Sequence, residues 1–236
     1  MSTQTATRGS AQVQGARAPG GSREFGAGAS LCPPYPRRQF LRDRTAQFVN
    51  RFWLKEAVGL ENAPTDRPYI VAAPHASYMD LFVVGAVFYV RLDHKLRYWA
   101  KSRMFQHRIL GAYCRAAGCL EVAEGAAHRD LWRASLEALH EGGENICVFP
   151  EGTRTRSGEP GPFHIGYLKL ARDAGVPVVP LRIEGAYEVW PPGRPLPRRG
   201  ALRVEMHEPV EVPAGSSLAA LARLNRGVRE ACVPRR

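Results

Sequence analysis

The chain has 236 residues, of which 44% are hydrophobic and 23% charged, so it is long and apolar enough to form one sizeable globular domain. Its net charge of +11 favours an anionic partner such as a phosphate group or an acidic membrane, although an arginine-rich composition alone could produce this excess. Nucleic-acid binding is not expected, because the chain has no recognition motif and no basic run beside aromatic stacking positions. The longest apolar run, Leu81 to Val90, is too short to cross a bilayer, which takes about twenty helical residues. We therefore expect a cytoplasmic protein that associates peripherally with a membrane.

The N-terminal part of the chain divides into two segments. Residues 1–36 are rich in Gly, Ala, Ser, Pro and Arg without hydrophobic periodicity, which predicts a disordered basic tail. Residues 37–56 carry a helical pattern, with most of its basic residues away from one apolar face that comprises Leu41, Phe48, Val49, Phe52 and Trp53. Two interpretations of this amphipathic helix stay open. It can lie in a membrane interface, or it can dock on the domain with its arginines in water.

Residues 57–236 form the remaining segment, a single predicted domain in which short apolar strands alternate with amphipathic helices. Strands are predicted at 69–73, 96–100, 119–122, 145–149, 176–183 and 202–207, and helices at 78–90, 105–117, 129–140, 165–174 and from Ser216 or Ser217 to Glu230. This alternation predicts an α/β fold, a single domain with a mostly parallel central sheet flanked by helices. In such sheets, functional sites collect beyond the carboxyl ends of the strands.

The five cysteines are odd in number and lack the paired short spacing of a zinc site. Cys114 and Cys119 could ligate a metal, but no second His or Cys pair stands at a complementary spacing. Most of the five are flanked by apolar residues. We therefore expect packed thiols in a reducing compartment, with no disulfide framework and no metal.

Two candidate catalytic residues, His75 and Asp80, follow the first predicted strand. Histidine has an unperturbed pKa near neutrality and can take the proton of an attacking hydroxyl, while a carboxylate on its other ring nitrogen would fix the tautomer. Five residues turn an ideal helix by about 140°, so both side chains cannot share one helical face. We therefore expect His75 in the turn after the strand, Asp80 in the first helical turn and Ser77 at the N-cap. A structural alternative is a capping box, in which Asp80 only accepts from a backbone N–H.

A second candidate group, Glu151, Gly152, Thr153 and Arg154, follows another predicted strand within the loop Phe-Pro-Glu-Gly-Thr-Arg. As a binding loop, it would use Gly152 for close backbone approach and Arg154 to hold a phosphate through two parallel hydrogen bonds. As an ordinary turn, it would simply expose charges after a strand.

In this order, the two motifs resemble the signature of the glycerolipid acyltransferases, and in particular the 1-acylglycerol-3-phosphate acyltransferase family. That signature is a His and an Asp separated by four residues, followed downstream by Phe-Pro-Glu-Gly-Thr-Arg. Residues 176–180, Val-Pro-Val-Val-Pro, are similar to a later valine–proline strand of the family.

The resemblance implies transfer of a fatty acyl group from acyl-CoA or acyl carrier protein to a lysophospholipid hydroxyl. The acceptor would be 1-acylglycerol-3-phosphate and the product phosphatidate. It assigns His75 as the base, Asp80 as its orienting partner and residues 151–154 to acceptor binding. Because the acceptor hydroxyl itself attacks, no cofactor, metal or nucleophilic cysteine is implied.

One segment departs from the family. Residues 118–124 correspond to a short strand that ends in an arginine in the family, whereas this chain has Glu124 there. A carboxylate would repel a phosphate, so either Arg115 or Arg129 takes over, or the acceptor is another lipid hydroxyl, such as that of an amino-lipid or a remodelling transacylase substrate. A non-catalytic lipid-binding protein of the same fold stays a further alternative.

Overall fold

A computed structural model describes residues 32–36, 39–122 and 128–234, so Glu124 and residues 1–31 of the predicted tail lie outside the described residues. The described residues form seven strands: β1 Leu54–Val58, β2 Ile70–Ala72, β3 Leu96–Lys101, β4 Leu120–Val122, β5 Asn145–Val148, β6 Val178–Glu184 and β7 Leu202–Met206. They also form eight α-helices: α1 Phe40–Phe52, α2 Asp80–Ala86, α3 Ser102–Gln106, α4 Arg108–Ala116, α5 His128–His140, α6 Gly166–Ala174, α7 Ala186–Val189 and α8 Leu218–Cys232. A 3₁₀ turn, Leu60–Asn62, follows β1, and a π-helical segment, Val87–Leu92, extends α2.

The strands join one sheet in the order β1-β7-β6-β2-β5-β3-β4. All neighbouring strands in it are parallel except β6 and β7, which are antiparallel. The predicted α/β fold with a mostly parallel central sheet is confirmed. The central strand β2 lies between β5 and β6 and is completely buried, as expected for a parallel strand that is covered on both faces.

Helices cover both faces of the sheet and create two apolar cores. One core lies between the sheet and helices α1, α2 and α4, and includes Val49, Val83 and Tyr113. The other lies beneath α5, α6 and α8, and includes Leu139 and Leu168. The sheet therefore holds the loops at its strand ends between two packed layers.

The boundary predicted at residue 36 differs from the structure. Residues 32–36 were predicted as part of the disordered tail, but they lie along β3 and make specific hydrogen bonds. The Tyr35 hydroxyl donates to the Leu96 carbonyl (3.3 Å) and accepts from its N–H (3.1 Å), and Arg97 Nη2 donates to the Pro33 carbonyl (2.8 Å). The tyrosine thus satisfies backbone groups that composition alone did not indicate.

The segment predicted as a helix over residues 37–56 is a helix only to Phe52, after which the chain enters β1. Strand β1 was missed because its sequence, Leu-Lys-Glu-Ala-Val, exposes two adjacent charged residues and pairs with β7 alone. The docking interpretation holds for one face of α1, and the membrane-interface interpretation stays a prediction. The buried residues of α1 include Val49, whereas Phe48 and Phe52 remain exposed.

One arginine of α1 is buried instead of lying in water. Arg42 donates from Nη1 to the Tyr35 hydroxyl (2.9 Å), and its guanidinium carbon lies 4.0 Å from the ring centroid of Tyr89. Arg42 also forms an ion pair with Asp43, in which Nε donates to Oδ1 (2.8 Å), and these contacts together replace the hydration that the charge gives up.

Two predicted helices differ from the structure, one at its first residue and the other by a break within it. Helix α2 begins at Asp80, with Met79 in place of Ser77 at the N-cap position. The helix predicted over residues 105–117 is two helices, because His107 adopts an extended backbone and its ring accepts the N–H of Leu110. Among the described residues, no helix is both long and apolar enough to span a bilayer.

Candidate active site

The two sequence motifs lie side by side because they follow parallel neighbouring strands, β2 and β5. In their register, Ala72 is paired with Val148. His75 and Glu151 each come three residues after these paired positions, so they reach the same edge of the sheet. A backbone hydrogen bond from the Thr155 N–H to the His75 carbonyl (2.9 Å) then joins the two loops.

His75 and Asp80 form the expected pair. The Nδ1 atom of His75 lies 3.0 Å from Oδ2 of Asp80, and the exposed fractions of the two side chains are 19% and 1%. A carboxylate can only accept, so Nδ1 carries the proton and Nε2 keeps its lone pair. Nε2 has no hydrogen-bond partner among the described residues. The expected placement is confirmed, with His75 in the turn after β2 and Asp80 at the first residue of α2.

Asp80 also holds the turn that carries the histidine. Its Oδ2 accepts from the backbone N–H groups of Ala76 and Ser77, both at 2.8 Å. Both hydrogen-bonding patterns expected for Asp80 therefore occur, because one carboxylate bonds to the imidazole and also accepts from two backbone N–H groups. The Ser77 hydroxyl has another partner, since it donates to the Trp190 carbonyl (2.7 Å) and accepts from the Met79 N–H (2.9 Å).

Glu151 points its carboxylate into the protein. Oε1 accepts from the His75 N–H (2.8 Å) and Oε2 from the Gly161 N–H (2.8 Å), and the residue is buried. Burial raises the pKa of this carboxyl above its ordinary value, although the two N–H donors oppose the rise. This geometry makes Glu151 a brace beneath the histidine loop. The direct acceptor contact that the resemblance implies for Glu151 stays a prediction, because each carboxylate oxygen can accept a further hydrogen bond.

The other three residues of the second motif lie at the surface of the site. Gly152 has a positive φ of 69°, a conformation that favours glycine, and it turns the chain directly after Glu151. Gly152 and Thr153 are exposed, and Arg154 is partly exposed. The guanidinium carbon of Arg154 lies 4.0 Å from the ring centroid of Tyr78. The Arg154 guanidinium and the His75 imidazole therefore occupy adjoining loops.

Aromatic side chains that sequence reasoning did not single out shape the site. The Phe149 ring stacks on His75, with centroids 4.2 Å apart and planes inclined by 18°. Trp190 packs against Tyr78 (5.5 Å between centroids) and against Phe82 (6.0 Å). Phe149 and Tyr78 stand inside the two motifs and could have been found there. Trp190 is 113 residues from the serine whose hydroxyl its carbonyl accepts, so no local pattern indicates it.

The two arginines suggested as substitutes for a phosphate-binding arginine lie on helices α4 and α5. Arg115 lines a cleft of about 600 Å³ beside Pro33 and Leu120, and His75 and Arg154 are not among the residues that line that cleft. Arg129 is exposed on α5. Within the described ranges, no group of three His, Cys, Asp or Glu side chains is placed to hold a metal ion, and the five cysteines form no disulfide with one another.

Comparison with known proteins gives consistent matches. The family model described as Acyltransferase matches residues 56–184. A chloroplastic 1-acyl-sn-glycerol-3-phosphate acyltransferase of Brassica napus is 28% identical over 163 residues, covering 67% of this chain and 46% of that protein. A lyso-ornithine lipid O-acyltransferase of Pseudomonas aeruginosa is 27% identical over 201 residues, covering 75% of each. The crystal structure of the 1-acyl-sn-glycerophosphate acyltransferase PlsC from Thermotoga maritima matches with a TM-score of 0.66 and 29% identity, over 81% of this chain and 78% of that one.

The extent of these matches decides what they establish. The chain spans about half the length of the plant relatives that it matches. The family model covers more than half of this chain and includes β2, β5 and both motifs, with the His75–Asp80 pair and the Arg154 loop inside it. The similarity to a solved acyltransferase extends over most of the sheet and its helices. The chain therefore belongs to the acyltransferase family.

Proposed function

We propose that this protein transfers a fatty acyl group from a thioester, acyl-CoA or acyl carrier protein, to the free hydroxyl of a lysophospholipid. The acceptor that we propose is 1-acylglycerol-3-phosphate, and the product is phosphatidate. The observation that carries the proposal is the His75 imidazole, whose Nδ1 is bound to buried Asp80 while Nε2 has no partner among the described residues. This is the arrangement that a general base needs.

The reaction can be written with the residues of the site. Nε2 of His75 takes the proton of the acceptor hydroxyl while that oxygen attacks the thioester carbonyl carbon. Asp80 stabilises the imidazolium that forms. The tetrahedral intermediate collapses, the carbon–sulfur bond breaks, and the thiolate takes the proton from the imidazolium. The products are an ester and a free thiol, and His75 returns to its starting state.

Arg154 gives the proposed acceptor its charged contact. It is partly exposed on the loop next to His75, and a guanidinium can pair with a phosphate through two parallel hydrogen bonds. The name of the Brassica napus relative specifies this class of acceptor, which supports the proposal. Glu151 contributes indirectly, because its carboxylate holds the backbone of the histidine loop.

A panel of acceptors tests the proposal. Purified protein is incubated with labelled acyl-CoA or acyl carrier protein and with 1-acylglycerol-3-phosphate, 1-acylglycerol or lyso-ornithine lipid. We expect labelled phosphatidate from the first acceptor and little product from 1-acylglycerol, which lacks the phosphate. Intact thioester with every acceptor would contradict an enzymatic function and favour a lipid-binding protein of the same fold.

A second acceptor is favoured by one observation in the sequence and one in the comparisons. The chain has Glu124 where the family has an arginine, and a carboxylate attracts an ammonium group rather than a phosphate. The Pseudomonas aeruginosa relative, which matches three quarters of the chain, is named for a lyso-ornithine lipid. An ornithine headgroup carries an ammonium and a carboxylate, and Arg154 can pair with the latter. Faster transfer to lyso-ornithine lipid in the panel would select this acceptor.

We further propose that α1 docks on an anionic membrane surface. Its outer face, defined as Leu41, Phe48 and Phe52, is 45%, 52% and 55% exposed, while the opposite face is buried against the domain. Arg44 and Arg51 are exposed on the same helix. Apolar side chains beside basic ones are typical of helices that lie in a membrane interface.

Liposome sedimentation tests this docking. The double variant Phe48→Ser/Phe52→Ser should bind anionic vesicles more weakly than the wild type, and wild-type binding should fall as salt is raised. Leu218→Ser is a matched control, because Leu218 is 62% exposed on α8, on the other face of the sheet. Equal binding by the double variant and the wild type would contradict the docking of α1.

A further inference from the structure

Arg154 is a cation whose hydrogen-bond capacity is unused. A guanidinium has five N–H donors, yet that of Arg154 makes no hydrogen bond and no ion pair with any of the residues that the structure describes. Its contact is with the face of the Tyr78 ring, whose centroid lies 4.0 Å from the guanidinium carbon. This contact leaves the N–H groups available to an anion.

Tyr78 is itself held in place. Its backbone N–H donates to the Trp190 carbonyl (3.1 Å), which also accepts the hydroxyl of Ser77 (2.7 Å). The Tyr78 and Trp190 rings are in contact, with centroids 5.5 Å apart. Tyr78 also lies two residues before Asp80, within the turn that the carboxylate fixes. The aromatic face under the arginine is therefore anchored to the catalytic loop and to the loop after α7.

We propose that Tyr78 is a positioning residue, whose ring holds the Arg154 guanidinium so that its N–H donors are ready for the anionic headgroup of the acceptor. The inference rests on the proposed function, which assigns Arg154 to that headgroup. A long, free arginine side chain loses rotamer freedom when it binds an anion, and that loss weakens binding. A side chain that the ring already restrains loses less. Contacts of this kind change affinity by about 2- to 30-fold.

Steady-state kinetics of matched variants test the role of the ring. Tyr78→Leu removes the aromatic face and should raise the KM for 1-acylglycerol-3-phosphate by about 2- to 30-fold, with a much smaller effect on kcat, because the His75–Asp80 pair is retained. Tyr78→Phe keeps the face and should restore the wild-type KM. In an Arg154→Ala background, Tyr78→Leu should add no further rise, because the group on which the ring acts is gone.

The outcomes that overturn the inference are distinct. A Phe variant as impaired as the Leu variant would place the effect in the hydroxyl instead of the ring face. A rise in KM of equal size with and without Arg154 would make Tyr78 a structural residue only. Far-ultraviolet circular dichroism and urea unfolding of each variant identify losses that come from misfolding.

A spectroscopic measurement tests the contact without any need for turnover. With ¹⁵N-labelled arginine, the Nε–H signal of Arg154, identified by its loss in Arg154→Lys, should show a ring-current shift in the wild type and in Tyr78→Phe. That shift should disappear in Tyr78→Leu. Titration with glycerol 3-phosphate, followed through the same signal, should give weaker binding for Tyr78→Leu than for the wild type.

This second measurement separates the two proposals. If no acceptor is acylated but the ring-current shift and the difference in glycerol 3-phosphate affinity are present, the proposed function fails and the role of Tyr78 stands. If acyl transfer occurs but the wild type shows no ring-current shift, or the two affinities are equal, the inference about Tyr78 is wrong and the proposed function stands.

Discussion

Replacement of Asp80 by asparagine separates the two tasks of this carboxylate. Its Oδ2 accepts from the His75 ring and from the backbone N–H groups of Ala76 and Ser77. The carbonyl oxygen of an asparagine can still accept hydrogen bonds at this position, with two lone pairs for the three donors. The negative charge that stabilises the imidazolium is lost. We therefore expect Asp80→Asn to fold and to be a poor catalyst.

The size of both effects follows from the geometry. At the 3.0 Å separation of Nδ1 and Oδ2, an effective dielectric constant of about 20 gives an attraction of about 5.5 kcal/mol between imidazolium and carboxylate. A factor of ten in rate corresponds to about 1.4 kcal/mol, so the upper limit of the loss is close to 10⁴-fold. We expect kcat to fall by about 10²- to 10⁴-fold, the range typical of positioned proton transfer. The loss in unfolding free energy should be about 2 kcal/mol, because two backbone hydrogen bonds lose their charge assistance.

Asp80→Ala is the contrasting variant. It leaves the N–H groups of Ala76 and Ser77 without their acceptor, at about 1–3 kcal/mol each, so unfolding free energy should fall by about 2–6 kcal/mol. Urea unfolding and kcat with labelled acyl thioester at saturating acceptor measure the two quantities. An Asp80→Asn protein that folds and keeps a kcat within about threefold of wild type would refute the role of the Asp80 charge in stabilising the imidazolium.

Two further predictions concern Glu151, which braces the histidine loop, and Gly185, which lies in the turn between β6 and α7. Burial raises the pKa of the Glu151 carboxyl, so the folded protein holds the proton of that carboxyl more tightly than the unfolded chain does. Stability is therefore lost as the carboxyl ionises, while the pH rises from about 4.3 through the raised pKa. The unfolding free energy of wild type minus that of Glu151→Gln should therefore fall over this window and then level off, and a difference that rises with pH would contradict the burial argument. Gly185→Ala should lower unfolding free energy by about 3 kcal/mol or more, because φ is +80° and the added Cβ would lie 2.1 Å from the Ala201 carbonyl oxygen. Gly143→Ala, also at positive φ but with no atom within 4 Å of its Cβ, should lose only about 1 kcal/mol, and equal losses would contradict the clash.

Most strands of the sheet and the His75–Asp80 pair at the centre of the site could be predicted from the sequence. Strand β2 is a continuous apolar run, and β6 is apolar apart from Arg182 and Glu184, so a search for apolar runs detects both strands. Strands β2 and β5 are parallel neighbours, and they end three residues before His75 and Glu151, respectively. Their register alone therefore brings these two residues together. The spacing of five residues was enough to separate the histidine from the helix that begins at Asp80.

The parts that sequence reasoning missed depend on contacts between distant residues. Ser77 was predicted as a helix cap, but its hydroxyl bonds to the carbonyl of Trp190, 113 residues away. The buried charge of Arg42 depends on Tyr35, which belongs to a segment whose composition predicts disorder. Strand β1 has no apolar alternation, because as an edge strand it exposes its charged residues to solvent.

The central claim is that His75 is the general base of an acyl transfer, and replacement of this residue tests it most directly. Initial rates are measured with labelled acyl thioester and the acceptor that the panel selects, for the wild type and for His75→Ala, with urea unfolding as the control for folding. We expect the folded His75→Ala protein to lose at least about 10²-fold in kcat, because the imidazole that takes the hydroxyl proton in the proposed mechanism is gone. A folded His75→Ala protein with a kcat close to wild type would contradict the account.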